Sequence, residues 1–457
     1  MKTFTLLSQL RKFRNDSKLT AQKVQELSRQ RFSSLLEKTY HSSAFYRDLY
    51  SSHGIKPHDL KDVTPKDLPI VSRAMVLDNF DAVLTDPSIT RKSVEEFLSN
   101  DTNPQNRFRG NTVMHTSGST GVPGIFIYSK QEWSFIAALV VARISQPVFR
   151  PFNKLRLAFL GKTGGHYAGV TLTSDAPKLL YNTRLFNPED IQKLIAGLNE
   201  FQPDIISGYA GTIYQLALAK LDGRLKINPG RLQSSGEVLT ENMRQTIENA
   251  FNQDVIDLYA CCESIVLGIQ KSGSDPFHLF NDWHHFEVID ENDNLVPEGT
   301  QGSLLVTPLY KTLQPLIRYR LSDTIAIKTT DQPFITLNRF SGRTGETLTY
   351  INAHGIEHTI HPYDMLAFYV PGLRQFQFEQ TSPNTLLLRI SVLDGYSDTK
   401  HLAEKKLQDI LVKADIEKFV SAKVEFVESI GLNPKTGKFN TVIPYKESRA
   451  KPKNRTG

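Results

Sequence analysis

Between residues 111 and 330, short apolar runs alternate with amphipathic stretches, and this alternation constrains the fold more than any other feature of the chain. The runs LRLAFLG (155–161), DIISGY (204–209) and DVIDLY (254–259) have the length and apolar content of strands. Helical spacing follows near 212–222 and near 240–251. Strands alternating with helices predict parallel pairing and a layered α/β domain. GSLLVTPL (302–309) and TIAIK (324–328) read as later strands.

Ahead of this region, Val24, Leu27, Leu35, Leu36 and Tyr40 recur at helical spacing, predicting a helix over 19–50. Residues 56–100 read as short helical pieces broken at Pro57, Pro65 and Pro69. Composition shifts after residue 343, where RQFQFEQ and TLLLRISVL alternate like strands. A helix near 400–413 and the strand KVEFVES (422–428) complete a small α/β domain. A chain of 457 residues is too long for one ordinary core, so two domains are expected.

No apolar run reaches the roughly 18–20 residues of a membrane span. Phe135–Val148 is broken by Arg143, Ser145 and Gln146, and reads as a buried helix. The N-terminus lacks the long apolar core of a secretory signal. The two cysteines, Cys261 and Cys262, are adjacent, which excludes a disulfide framework and points to a reducing, cytoplasmic setting. No His or Cys lies near enough in sequence to make them a metal site. Part of the net charge of +6 sits in a basic tail with Lys446, Arg449, Lys451, Lys453 and Arg455. That tail reads as a solvated end, and no nucleic-acid module or membrane contact is expected.

The segment HTSGSTGVPG (115–124) gathers glycines and small hydroxyl residues. Gly118 and Gly121 permit the backbone angles of a tight loop, and backbone N–H groups with Thr116, Ser117, Ser119 and Thr120 can cradle a polyphosphate. The Lys of the GxxxxGK[ST] loop is absent. TVM before it and IFIYS after it frame the segment as a turn between two strands. It resembles the phosphate loop of the adenylate-forming superfamily of acyl-CoA synthetases, luciferases and peptide synthetases. Many members end that loop with Lys where Gly124 stands here; the phenylacetate–CoA ligase branch commonly lacks it, so the departure points to that branch.

Further segments extend the resemblance in family order. In SSGEVLT (234–240), Gly236 and Glu237 match the turn that lies against adenine. Tyr259 and Glu263 match the ends of the family's Y-G-x-[ST]-E, which implies an aromatic ring against the base and a carboxylate holding Mg²⁺ beside the phosphates. Ala260 replaces the usual Gly, and Cys262 the hydroxyl residue that would bond the α-phosphate; a thiol is the poorer donor. PLIRYRLSDTIAI (315–327) resembles RYRxxD, which implies that Asp323, just ahead of an apolar strand, accepts from both ribose hydroxyls. FSGRTGETL (340–348) resembles the hinge GRxDD, with Arg343 on nucleotide oxygens, Gly345 in place of the hinge Asp, and Glu346 following. AHGIEHTIHP (353–362) resembles the segment lining the acceptor tunnel, with Gly355 as its glycine. In GLNPKTGKFNTVIP (431–444), Lys438 matches the mobile adenylation lysine, with Lys435 its local competitor. HSSAFYRDLY (41–50) and TPKDLPIVSRAMVLDNF (64–80) also resemble this branch, and the spacing near 349–362 is closer to its capsular-polysaccharide-biosynthesis relatives than to phenylacetate–CoA ligase itself.

The resemblance implies an α/β fold: a large N-terminal adenylation domain of layered sheets and helices (1–343), a small mobile C-terminal α/β domain acting as a lid (346–444), and a basic flexible tail (445–457). It implies a ligase that uses ATP and Mg²⁺ to convert a small carboxylic acid, an aryl acid favoured, into an acyl-adenylate. The acyl group then goes to CoA, to a carrier-protein thiol or to an amine. A nucleotide-binding scaffold without activity is the rival reading, motivated by Cys262 and Gly345. A homodimer is compatible with all of these. GGHYAG (164–169) places His166 and Tyr167 in the family's acyl-pocket region; His166 bonds the substrate there or is a loop His without a role. His284 and His285 are adjacent, so on a strand they face opposite sides and do not share a metal.

Overall fold

The computed structural model describes residues 13, 19–116, 124–144, 153–343, 347–360, 365, 368, 370, 372–392, 398–431, 433 and 440–445, with backbone alone for 339–343. Leaving aside residues 434–438, the chain divides into two compact units, one up to Phe340 and one from Ser341 onward.

The first unit opens on helices Ala21–Ser42 and Ala44–Ser52, where one long helix was expected. The break is Ser43, which has extended backbone and whose hydroxyl caps the second helix by accepting from Tyr46 N. Strands β1 (Thr112–His115) and β2 (Ile125–Tyr128) pair antiparallel as a separate hairpin, with His115 opposite Ile125. Helix Lys130–Arg143 follows, started by a capping box: Ser129 accepts from Glu132 N, and the Glu132 carboxylate accepts from Ser129 N at 2.8 Å.

Next come β3 (Leu155–Leu160), β4 (Tyr181–Phe186), β5 (Ile205–Gly208), β6 (Arg231–Ser235) and β7 (Val255–Cys261). After them run β8 (Ile265–Gln270), β9 (Phe277–Leu279), β10 (His284–Ile289), β11 (Gly302–Pro308), β12 (Tyr319–Lys328) and β13 (Thr336–Arg343). They form one sheet in the order β10-β11-β12-β13-β9-β8-β7-β6-β5-β3-β4. Pairing is parallel from β4 through β3, β5 and β6 to β7, where crossover helices return the chain to the same edge. From β7 to β8 to β9, and from β10 to β11 to β12, it turns antiparallel, so the parallel expectation holds for one half of the sheet. Helices Ala210–Leu221 and Glu241–Phe251 fill the expected places. The residues of β12 begin at Tyr319, ahead of the expected TIAIK, so Asp323 lies inside a strand and not in a turn before one.

The second unit has its own core, with Leu348, Tyr350, Phe378, Leu388 and Ile390 buried. Strands β14 (Leu348–Ile351) and β15 (Glu357–Ile360) form a hairpin turned at Gly355, whose φ of +77° suits glycine. Strands β16 (Leu373–Ser382), β17 (Thr385–Val392), β18 (Ser421–Phe426) and β19 (Val442–Ile443) form a sheet in the order β18-β17-β16-β19, with helix Thr399–Lys413 between β17 and β18. Among the described residues, no helix is long and apolar enough to cross a membrane.

Candidate active site

The site residues gather at the carboxyl ends of parallel strands, where open α/β sheets take their ligands. Tyr209 to Gly211 follow β5, Gly236 and Glu237 follow β6, and Cys262 and Glu263 follow β7. Beside these ends stands the β1–β2 hairpin.

Thr116 and Gly124 close the base of the hairpin loop. Thr116 N donates to the Gly124 carbonyl at 2.9 Å, and Gly124 N donates to Thr116 Oγ1 at 2.9 Å. Arg73 Nη2 also donates to Thr116 Oγ1, at 2.9 Å. A Cβ on Gly124 would stand 3.0 Å from the Phe126 ring and 3.2 Å from the Arg73 guanidinium. A larger residue at 124 would thus press on the Phe126 ring and on the Arg73 guanidinium. Ser117, Gly118, Ser119, Thr120 and Gly121 lie outside the described residues.

Gly236 has φ +75°, which lets the chain turn sharply off β6. The Glu237 carboxylate accepts from Gly211 N at 2.8 Å, so it caps helix Ala210–Leu221, whose N-cap residue Tyr209 offers no side-chain acceptor. A carboxylate suits the positive end of that helix. Gly236 and Glu237 are nucleotide-binding in expectation; the Glu237 side chain also serves as this cap.

Tyr259 and Asp323 meet directly. The phenol donates to the Asp323 carboxylate at 2.6 Å across 64 residues of sequence. Asp323 is otherwise nearly buried, at 5% exposure. Just beyond Tyr259 the β7–β8 register slips by a bulge, a device common beside active sites. Cys262 bridges to the hairpin twice: its carbonyl accepts from Tyr128 Oη at 2.6 Å, and its Sγ approaches the His115 carbonyl at 3.8 Å. Burial raises the Cys261 thiol well above its ordinary pKa, so a thiolate there is disfavoured.

The turn carrying Glu263 is strained. Ile265 has φ +60°, uncommon for a β-branched residue, and Val266 N donates back to the Ser264 carbonyl at 2.8 Å, closing a γ-turn. Ser264 is pinned from behind by Tyr310, whose phenol donates to its carbonyl at 2.8 Å, and by His284, with Nε2 2.7 Å from Ser264 Oγ. His284 Nδ1 lies 2.9 Å from the Phe280 carbonyl, which can only accept, so the proton is on Nδ1. Burial lowers the His284 pKa to about 4; the neutral Nε2 therefore accepts from the Ser264 hydroxyl. His285 is half-buried near Glu287 on the other face of the strand, so the two histidines do separate.

The β3–helix loop joins the site through His115 N, which donates to the His166 carbonyl at 2.9 Å. The His166 side chain, 1% exposed, packs on Phe97 with ring centroids 5.0 Å apart, and Asp101 lies 3.9 Å away. Burial lowers its pKa. Tyr167 packs on His115 at 4.5 Å, and Lys162 Nζ lies 3.3 Å from its hydroxyl. Sequence reasoning missed His115, Lys162, Arg73 and Tyr128. His115, Arg73 and Tyr128 stand inside quoted segments and Lys162 two residues ahead of GGHYAG, so place in or beside a motif was the signal available.

Lys438, Gly345, Glu346 and Lys435 lie outside the described residues, as does the side chain of Arg343, whose backbone ends β13. Among the described residues no group of three or more His, Cys, Asp or Glu suits a metal. Mg²⁺ commonly uses one or two protein carboxylates and completes its shell with phosphates and water, so Glu263 alone is an adequate protein ligand. A cleft of about 820 Å³ runs along β4 and the start of β3, lined by Lys154, Arg156 and Tyr181 among others. It holds none of the motif residues and lies toward the amino ends of β3 and β4, away from the carboxyl ends, so the site is assigned by its chemistry.

No family model matches the chain. It is 23% identical over 449 residues to a phenylacetate-coenzyme A ligase of Aromatoleum evansii, covering 93% of this chain and 95% of that one. It is 22% identical over 400 residues to protein CapK of Staphylococcus aureus, covering 83% and 81%. These identities do not separate the two relatives, whatever the spacing near 349–362 suggests. In fold it is similar to 2-hydroxyisobutyryl-CoA ligase in the postadenylation state in complex with R3-HIB-AMP, with TM-score 0.70, 18% identity, and 92% and 89% of the chains covered. The base of the β1–β2 hairpin, the Cys262–Glu263 turn and the Tyr259–Asp323 pair thus stand together, in a chain that matches a phenylacetate-coenzyme A ligase over 95% and CapK over 81% of their lengths, and the chain is similar to the adenylate-forming superfamily, in the branch that holds the phenylacetate–CoA ligases and CapK.

Proposed function

We propose that this chain activates a carboxylic acid with ATP as an enzyme-bound acyl-adenylate, releases pyrophosphate, and passes the acyl group to CoA. The observation carrying the reading is the Tyr259–Asp323 bond at 2.6 Å beside a Cys262–Glu263 turn held against the phosphate-loop hairpin. A nucleotide laid over these strand ends meets Asp323 at its ribose, Tyr259 at its base, and the hairpin and Glu263 at its phosphates. Similarity to a phenylacetate-coenzyme A ligase favours an aryl or other compact acid.

In the first step a carboxylate oxygen attacks the α-phosphorus and the bond to the pyrophosphate oxygen breaks in line. Bound Mg²⁺ would neutralise charge on the phosphate oxygens. Thr116 and its loop orient the phosphates, Asp323 fixes the ribose, and Lys438 brings an ammonium to the carboxylate and α-phosphate. In the second step a thiolate attacks the acyl carbonyl and AMP leaves. The segments around Arg343 and Gly345 serve as the hinge for a lid formed by residues 346–444, and His166 and Tyr167 border the acyl side.

The test is acid-dependent ATP–pyrophosphate exchange with a panel of carboxylic acids. Robust exchange with at least one acid, reduced at least a hundredfold in Lys438→Ala, is the expected result. No exchange with any acid would leave the inactive-scaffold reading. Product analysis with CoA, carrier protein and amines then identifies the acceptor.

A further inference from the structure

We propose that Tyr128 and Lys311 are positioning residues that hold Glu263 against the phosphate-loop hairpin, acting through the Cys262 carbonyl; this rests on the reading of Glu263 as the metal-facing carboxylate. Tyr128 closes β2 and is completely buried. Its phenol donates to the carbonyl of Cys262, the residue before Glu263, at 2.6 Å. The hairpin that cradles phosphate and the turn that carries the carboxylate are thus joined by one short bond.

Lys311 is the second part of the device. It lies between β11 and β12, is fully buried, and donates from Nζ to the Ile127 carbonyl at 2.9 Å. The same Nζ stands 3.4 Å from the centroid of the Tyr128 ring. One Nζ therefore touches both the backbone of β2 and the ring whose hydroxyl reaches Cys262. The residues after Lys311 are fixed in turn by Glu132, which accepts from Thr312 N at 2.5 Å and Leu313 N at 2.8 Å. The groups acting on the amine are Glu132, Glu263, Cys261 and Cys262; burial pushes it down to about 7 and the two carboxylates oppose that. A side chain chosen only to fill the space would not need a charge, since an apolar residue of this length packs at lower desolvation cost.

The far side of Glu263 explains why a tether is needed. The γ-turn at Ile265 is strained, and such a turn persists only where its surroundings over-determine it. Tyr310 and His284 hold Ser264 after Glu263, and Tyr128 holds Cys262 before it. Release on one side lets the carboxylate drift, and a misplacement of about 1 Å can cost on the order of a hundredfold in rate.

Full-length Tyr128→Phe, Lys311→Met and Glu263→Gln, with the double variant Tyr128→Phe/Glu263→Gln, separate the possibilities. Exchange rate, KM for the acid, and thermal shift with ATP alone and with ATP plus Mg²⁺ are measured on each. Tyr128→Phe and Lys311→Met are expected to lower kcat of exchange about 10- to 100-fold, with KM for the acid within about twofold. The extra thermal shift on adding Mg²⁺ to ATP should shrink in both, which a packing role would not produce. In the Glu263→Gln background, Tyr128→Phe should cost nothing further. The proposal is overturned if Tyr128→Phe keeps full exchange and the full Mg²⁺ shift while Glu263→Gln loses both. Should Glu263→Gln retain exchange, the role given to Glu263 fails and this inference with it. Tyr128→Phe removes a single oxygen and decides the matter even if Lys311→Met does not fold.

Discussion

Asp323 shows how much a single residue's role depends on its neighbour. Its carboxylate is nearly buried and already accepts from Tyr259, so it is oriented before any nucleotide arrives. Asp323→Asn should raise KM for ATP about tenfold to a hundredfold, the range for a lost charged hydrogen bond, while KM for the acid stays near its starting value; steady-state kinetics checks both. His284 gives a pH prediction. Its pKa is about 4 in the fold against 6.5 ordinarily, so its contribution to stability is complete above pH 6.5. Below that the unfolded chain binds the proton first, and stability falls by about 3 kcal/mol as pH drops through 4. Denaturant unfolding of the parent and His284→Gln between pH 7 and 4 checks this: the difference between them should narrow through that window, and a constant difference would contradict it. At this scale the sequence was legible where motifs meet: Tyr259 and Asp323, quoted from separate motifs, stand in direct contact. Tyr128, Lys311 and Glu132 were not legible. Their partners lie 134, 184 and 181 residues away, and nothing in the local pattern marks a buried Lys or Glu as satisfied.

Among elements, helix Lys130–Arg143 carries the clearest energetic prediction. Ser129→Ala removes the cap and should cost about 1 kcal/mol in chemical unfolding. Glu132→Ala removes the cap partner and also strands the N–H groups of Thr312 and Leu313, so it should cost several-fold more, about 3 kcal/mol. Strands β3, β5, β7 and β11 were readable because they are apolar runs bounded by turns. The start of β12 was not, since RYRLSD places charges along a strand whose alternate residues are buried. Edge strand β4, YNTRLF, has no buried residue before Phe186, so it lacks the apolar run that marks a strand in sequence. The antiparallel half of the sheet was equally hidden, because pairing direction depends on connections rather than on composition.

For the whole molecule, the separate cores of the two units bear on where nucleotide affinity resides. Residues 1–343 expressed alone should fold and gain stability from ATP, by about 2.7 kcal/mol at a hundred times Kd, yet show no exchange without Lys438; a thermal melt and the exchange assay test the two halves of that statement. A fragment that ignores ATP would place the binding determinants elsewhere. The γ-turn at Ile265 carries a wider consequence. Left-handed backbone is hard for isoleucine, yet the Ile265 side chain is buried in the core. Ile265→Gly therefore trades a strain of about 1–2 kcal/mol for a cavity costing about 2–5 kcal/mol, and should lower the melting temperature. A loss smaller than a buried isoleucine ordinarily carries would measure how much strain the fold holds at this point to keep Glu263 in one position.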